Sequence, residues 1–146
     1  MSYKKILIAI DTSAYAMEAA KRGFELAHQL KASIGLVNVI DKNEEGANAD
    51  LGITPDNSQP ILIKQAEENI DQIIKLYDGI DEVVRFTPEG FPQEEIVNIA
   101  SEWEADMIVI GTHGRKGLAH LLVGSVAEYV IKHINIPVMV VPHKTT

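Results

Sequence analysis

The sequence predicts an α/β domain: an open, doubly wound, parallel five-stranded sheet with helices on both faces. Three observations predict it. Five short strand candidates alternate with four helical segments in the order β-α-β-α-β-α-β-α-β. Helical connections of this length join strands in parallel. Such crossovers are right-handed and cover both faces of the sheet. The 146 residues contain no internal repeat or low-complexity segment, and residues 1–146 are read as a single domain.

Each element has its own reason. Ile6-Leu7-Ile8-Ala9-Ile10 is a continuous apolar run, the pattern of a strand covered on both sides. Asp11-Thr12-Ser13 breaks it, with Ser13 placed to cap the next helix. In that helix Met17, Ala20, Phe24, Ala27 and Leu30 recur every three or four residues as the inner face. The second strand is read over Ile34–Ile40. Residues 41–59 have no clear period and are read as a solvated or disordered connection, or else a lid. The second helix opens near Ser58-Gln59-Pro60 and carries Leu62, Ala66, Ile70, Ile73 and Tyr77 inward; Glu82–Phe86 follows as the third strand. Pro92 suits a first-turn position of the third helix, whose inner residues are Ile96, Ile99, Ala100 and Trp103. Met107–Ile110 is the fourth strand and Val138–Val141 the fifth, separated by a helix over Ser125–His133 that Asn135 and Pro137 end.

Composition narrows the function. Lys and Arg number 13 against 21 Asp and Glu, a net charge of −8, which repels polyanions and argues against nonspecific nucleic-acid binding. There is no cysteine, hence no disulfide framework, thiolate metal site or cysteine nucleophile. No apolar run approaches the roughly 20 residues that span a bilayer, and the first residues do not read as a signal peptide. The expectation is a soluble cytoplasmic protein with no membrane partner. The histidines are scattered, and the acidic pairs Glu44-Glu45, Glu67-Glu68 and Glu94-Glu95 read as solvated surface.

Ligands of such sheets bind beyond the carboxyl ends of the strands, where strand order reverses. Two strand ends are informative: Asp11 after the first strand, and Gly111-Thr112-His113-Gly114-Arg115-Lys116-Gly117 with Gly124-Ser125 after the fourth. Glycine lets backbone amides approach a ligand, and a helix N-terminus offers unpaired donors and a positive dipole end. Ser125 and Glu128 stand at capping-box spacing. Three glycines at fixed offsets occur by chance in about one chain in twenty, so the weight rests on their position between strand and helix. As less favoured alternatives, Asp11 can cap the first helix and the glycines can simply form turns; His113 can be an ordinary loop histidine.

The spacing Gly111-x2-Gly114-x9-Gly124-Ser125 resembles the nucleotide-binding signature of the universal stress protein family. The likeness runs through the whole chain, including Ile6–Ser13, Ala105–Arg115 and Pro137–Pro142; Thr12 departs from the glycine common after the aspartate. It implies the ATP-binding branch, the adenine nucleotide alpha hydrolase-like fold, and a homodimer through the last strand (137–142). It also implies roles. Asp11 would hold the ribose hydroxyls above Ala9 and Ile10, and the backbone of Val39 would hold the adenine. Ile110 and Gly111 would flank adenine and ribose. Thr112, His113, Gly114 and Arg115 would form the phosphate-side loop, and Gly124, Ser125 and Val126 would bind the phosphates, accompanied by Mg2+ or a similar ion.

Enzymatic chemistry has less support. There is no Gly-x4-Gly-Lys-Ser/Thr, and neither His-x-Gly-His nor Ser-Gly-Gly-x-Asp-Ser follows the first strand. A phosphorylation receiver needs an acidic pair there and an aspartate ending the third strand, where this chain has Arg85-Phe86-Thr87-Pro88. The reading is a nucleotide-dependent regulatory, stress-response module with no catalytic residue assigned. The alternatives are an enzyme of the same fold acting on an adenylated metabolite, or a slow ATPase or autophosphorylating protein with Ser125 as acceptor.

Overall fold

The strand Lys5–Ala9 (β1) lies at the centre of the sheet, with Ile6, Leu7 and Ile8 fully buried. A computed structural model of the chain describes residues 2–41, 58–77, 82–113 and 123–143. After β1 come α1 (Ala14–Leu30), β2 (Ser33–Val37), β3 (Ile40–Asp41), α2 (Ser58–Lys75), β4 (Val83–Phe86) and β5 (Glu89–Gly90). The chain continues through α3 (Pro92–Trp103), β6 (Met107–Gly111), α4 (Ser125–His133) and β7 (Val138–Val141). Five strands form one parallel sheet in the order β4-β2-β1-β6-β7. The predicted architecture is the one observed.

Period-two alternation along β1 separates two cores. Ile6, Ile8 and Ile10 pack with α1 and α2 through Ala16, Ala20, Phe24, Ile70 and Ile73. Leu7 and Ala9 pack on the other face with Ile96, Ile99 and Ala100 of α3 and Ala127 and Val130 of α4. Trp103 is partly buried there, its ring set edge-on to Phe86 at 5.7 Å. Tyr77 closes the α1–α2 side against Phe24 at 4.4 Å.

The structure corrects three details. The second strand is not continuous over Ile34–Ile40: β2 stops at Val37, and Ile40–Asp41 resumes as β3, paired with β5 in a small parallel sheet of its own. Val39 and Ile40 resume the apolar run directly after Asn38, which hides the break. Met17 and Leu30 do not belong to the inner face of α1; they are 39% and 41% exposed, while Ala16, Ala19 and Gly23 are buried instead. Alanine and glycine let α1 approach β1 and β6 closely, so the buried stripe is centred one residue away from the larger side chains. Of the irregular stretch, Asp41 belongs to β3 and α2 opens at Ser58, as expected; residues 42–57, with Glu44 and Glu45, lie outside the described residues.

At the amino edge of the sheet, Asp106 ties two strands together. Its Oδ2 accepts the amides of Lys4 (2.8 Å) and Lys5 (2.9 Å), and those bonds hold its carboxyl below the ordinary aspartate range. Among the described residues no helix is long and apolar enough to cross a membrane.

Candidate functional site

Strand order reverses between β1 and β6. From β1 the chain proceeds through α1 and α2 to β2 and β4 on one side; α3 then carries it back to β6 and β7 on the other. The helix that follows β1 packs on one face of the sheet and the helix that follows β6 on the other, the arrangement in which such sheets take ligands beyond the carboxyl ends of the strands. Asp11, Val39, the Gly111–His113 segment and the start of α4 all follow strands that end on this edge.

The floor is apolar: Ala9, Ile10 and Ile110 are all buried, and Ile10 donates its amide to Val37 O at 2.9 Å. Asp11 is half-buried, and its Oδ1 accepts both the Ser13 amide (2.8 Å) and the Ser13 hydroxyl. Ser13 is the N-cap of α1 and accepts from the Ala16 amide at 3.3 Å. Helix capping thus falls to Ser13, as predicted, while Asp11 braces the cap and is itself fixed in orientation by it.

On the β2 side, Asn38 donates its amide to Phe86 O (3.0 Å) and Ile40 donates to Pro88 O (2.7 Å). Strand alternation then turns the N–H and C=O of Val39, between them, toward the β1 side. Its side chain is half-buried against the α3–α4 core.

The β6 side is built by close approach. Thr112 donates its amide to Val141 O at 3.0 Å, and the Gly124 amide donates to Thr112 O, which holds the start of α4 against the residues leaving β6. A Cβ on Gly124 would lie 3.0 Å from Thr112 O and 3.2 Å from His113 Cα. A Cβ on Gly111 would lie 2.9 Å from Tyr15 Cβ and 3.0 Å from Tyr15 O. The two glycines therefore serve contact between backbones, Gly111 with the first turn of α1 and Gly124 with the β6 exit. The His113 ring packs on Tyr15 at 5.2 Å, and Tyr15 meets His143 edge-on at 5.6 Å.

The capping box predicted for Ser125 and Glu128 does not form. Gly124 is the N-cap, which makes Ser125 the first helical residue, and the Glu128 amide bonds back to Gly124 O at 3.0 Å. The Glu128 carboxylate turns along the helix to Lys132 Nζ (2.8 Å), whose hydrogen bond and charge lower its pKa. Because glycine has no capping side chain, the amides of the first turn, Ser125 and Val126 among them, receive no bond from the N-cap. That end of α4 suits an anion. Gly114 and Arg115 lie outside the described residues, as do Lys116 and Gly117.

Sequence reasoning missed two residues. Asn69 of α2 donates through Nδ2 to Asp11 O (2.9 Å) and to Asn38 Oδ1 (2.7 Å), and Asn38 is only 8% exposed. The signal was present: Asn38 interrupts an apolar run, and Asn69 sits beside Ile70 on the inner stripe of a helix, where asparagine is unfavourable unless it finds partners. Among the described residues no three His, Cys, Asp or Glu side chains group as a metal site.

Comparison with known proteins agrees with this geometry. The sequence model of the universal stress protein family matches residues 2–142. Universal stress protein MJ0531 of Methanocaldococcus jannaschii is 34% identical over 144 residues, covering 95% of this chain and 82% of its own. The solved structure of protein MJ0577, from the same organism, superposes with a TM-score of 0.86 at 33% identity and covers 100% of both chains. A universal stress protein from Archaeoglobus fulgidus, solved in complex with dAMP, superposes with a TM-score of 0.63 at 28% identity, covering 96% of this chain and 98% of its own. The chain belongs to the universal stress protein family.

Proposed function

We propose that the protein binds ATP, or a closely related adenine nucleotide, in the β1–β6 crevice and serves as a nucleotide-dependent regulatory module of the stress response. The observation that carries this reading is the start of α4. It is capped by a glycine, pulled onto the carbonyl of Thr112, and set beside the ends of β1 and β6. In a chain of net charge −8, such a helix end offers a local positive potential for phosphates. The dAMP bound by the Archaeoglobus relative supports an adenine nucleotide as the ligand.

In this reading Ala9 and Ile10 form the floor, Asp11 accepts from the ribose hydroxyls, and the backbone of Val39 pairs with adenine. Ile110 and Gly111 flank the nucleoside. Thr112, His113, Gly114 and Arg115 form the phosphate-side loop, and the amides of Gly124, Ser125 and Val126 bind the phosphates with Mg2+ alongside. The single domain works in the cytoplasm, and binding rather than turnover is its activity. Calorimetry with Mg·ATP, AMP and adenosine tests the proposal. The unaltered chain is expected to bind ATP, and Asp11→Ala to weaken all three ligands about 10- to 100-fold, the range for hydrogen bonds to a charged group. No binding at millimolar Mg·ATP, or an Asp11→Ala variant with unchanged affinity, would overturn it.

The proposal includes a homodimer through residues 137–142. β7 ends the sheet, and Val138, Met139 and Val140 remain partly exposed along it, an edge that needs cover. Val140→Asp is expected to sediment as a monomer where the parent chain sediments as a dimer. A V140D variant that stays dimeric would rule out this interface.

A further inference from the structure

We propose that Asn69 of α2 is a positioning residue of the nucleoside half of this site, a clamp that sets the distance between its ribose wall and its base wall. The inference rests on the nucleotide reading above and adds to it an element, α2, that contributes none of the residues assigned to the ligand. One carboxamide nitrogen donates to the carbonyl of Asp11 beyond β1 (2.9 Å) and to Oδ1 of Asn38 beyond β2 (2.7 Å). Both partners are acceptors, so the nitrogen of Asn69 must face them and the oxygen must face away. Asn38 is oriented in turn: with Oδ1 toward Asn69, its Nδ2 points at the carbonyl of Val39 at 3.5 Å. A continuous polar path then runs from the backbone of Asp11 through Asn69 and Asn38 to the backbone of Val39. These are the two main-chain positions between which the nucleoside would lie.

The path lies where direct ladder pairing gives out. The register between β1 and β2 ends at Ala9–Val37, and the bond that follows it is Ile10 N to Val37 O; the Asn38 amide, on the opposite side of its strand, bonds Phe86 O. Past that register Asn69 bridges the two strand ends. Asn38 is nearly inaccessible, so its Oδ1 has no ready replacement by water if Asn69 is removed. Asn69 itself is half-buried on a helix whose Ile70 and Ile73 anchor it in the core, so the helix fixes where the carboxamide sits.

The test combines a ligand-free measurement with a binding measurement on Asn69→Leu, with Asn69→Asp as the second variant should the first fail to fold. Without ligand, amide hydrogen exchange is expected to accelerate about tenfold at Ser13 and Asn38, whose bonds depend on the placement of Asp11 and of the β2 end, while Ile8 in the centre of β1 is unchanged. In calorimetry, adenosine, AMP and ATP are expected to weaken by one common factor of about ten, and the preference for ATP over dATP to shrink. A merely structural loss would accelerate Ile8 as well and would leave the ATP-to-dATP ratio where it was. Unchanged exchange at Ser13 and Asn38, or an unchanged ratio in a parent chain that binds ATP, overturns the clamp. If the parent chain binds no nucleotide, the functional reading falls by itself, and the exchange data still decide whether Asn69 holds the two strand ends.

Discussion

Gly111→Val is expected to lower the melting temperature by about 5–10 °C, the larger of the stability effects that the glycines of this site can produce. The cause is contact rather than strain. A Cβ at position 111 would stand 2.9 Å from Tyr15 Cβ, 3.0 Å from Tyr15 O and 3.1 Å from Tyr15 C. Two of these atoms are backbone, and the backbone there cannot retreat. It belongs to the first turn of α1, held by the Ser13 cap and followed by buried Ala16, Ala19 and Ala20. Overpacking of this kind costs about 1–3 kcal/mol, and each kcal/mol shifts a domain of this size by roughly 2–4 °C. Gly23 is a second close approach. A Cβ there would stand 2.5 Å from Ile8 Cδ1 and 2.8 Å from Ile8 Cγ1, atoms of a fully buried, β-branched side chain. Thermal unfolding followed by circular dichroism decides it: a Gly111→Val melting point within 1–2 °C of the parent would show that α1 and β6 separate easily.

That result bears on how much of the site could be read before the fold was known. The strand-helix order was legible because every inner stripe but one follows a single period: Leu62, Ala66, Ile70 and Ile73 are all buried, as are Ile96, Ile99 and Ala100. The exception, α1, misled because its contact face is made of alanine and glycine, which add little to an apolar pattern yet allow the closest packing. The C-termini of α1 and α3 also gave no sign. Both end in left-handed residues, Lys31 (φ 56°) and Glu104 (φ 59°), where glycine is the usual marker. At the crevice, Gly111 and Gly124 could be located from spacing, but their separate partners, Tyr15 and Thr112, depend on which helix crosses which strand. The Asn69 bridge joins residues 58 and 31 positions apart in the chain, and no local pattern encodes such a pairing.

Gly124→Val should act on the ligand more than on the fold. Position 124 has φ −69° and ψ 163°, a conformation open to any residue, so no backbone strain opposes the change. The nearest atoms to its Cβ would be Thr112 O at 3.0 Å and His113 Cα at 3.2 Å, contacts that a few tenths of an ångström relieve. Valine is a poor N-cap, which adds about 1 kcal/mol. The relief has a direction: α4 moves away from the β6 exit and lengthens the bond between the Gly124 amide and Thr112 O. Amides that are to hold phosphates then move with it, and hydrogen bonds to a charged group lose strength steeply with distance and angle. The expected result is a fall in ATP affinity of at least about 30-fold, roughly 2 kcal/mol, with adenosine affinity within twofold of the parent. That pattern is the converse of the one expected for Asn69→Leu, in which the nucleoside and the nucleotide weaken together. Equal losses for ATP and adenosine in Gly124→Val would place the helix N-terminus outside the phosphate site. An unchanged ATP affinity would remove the role of α4 altogether, leaving Gly124 as a packing residue like Gly111.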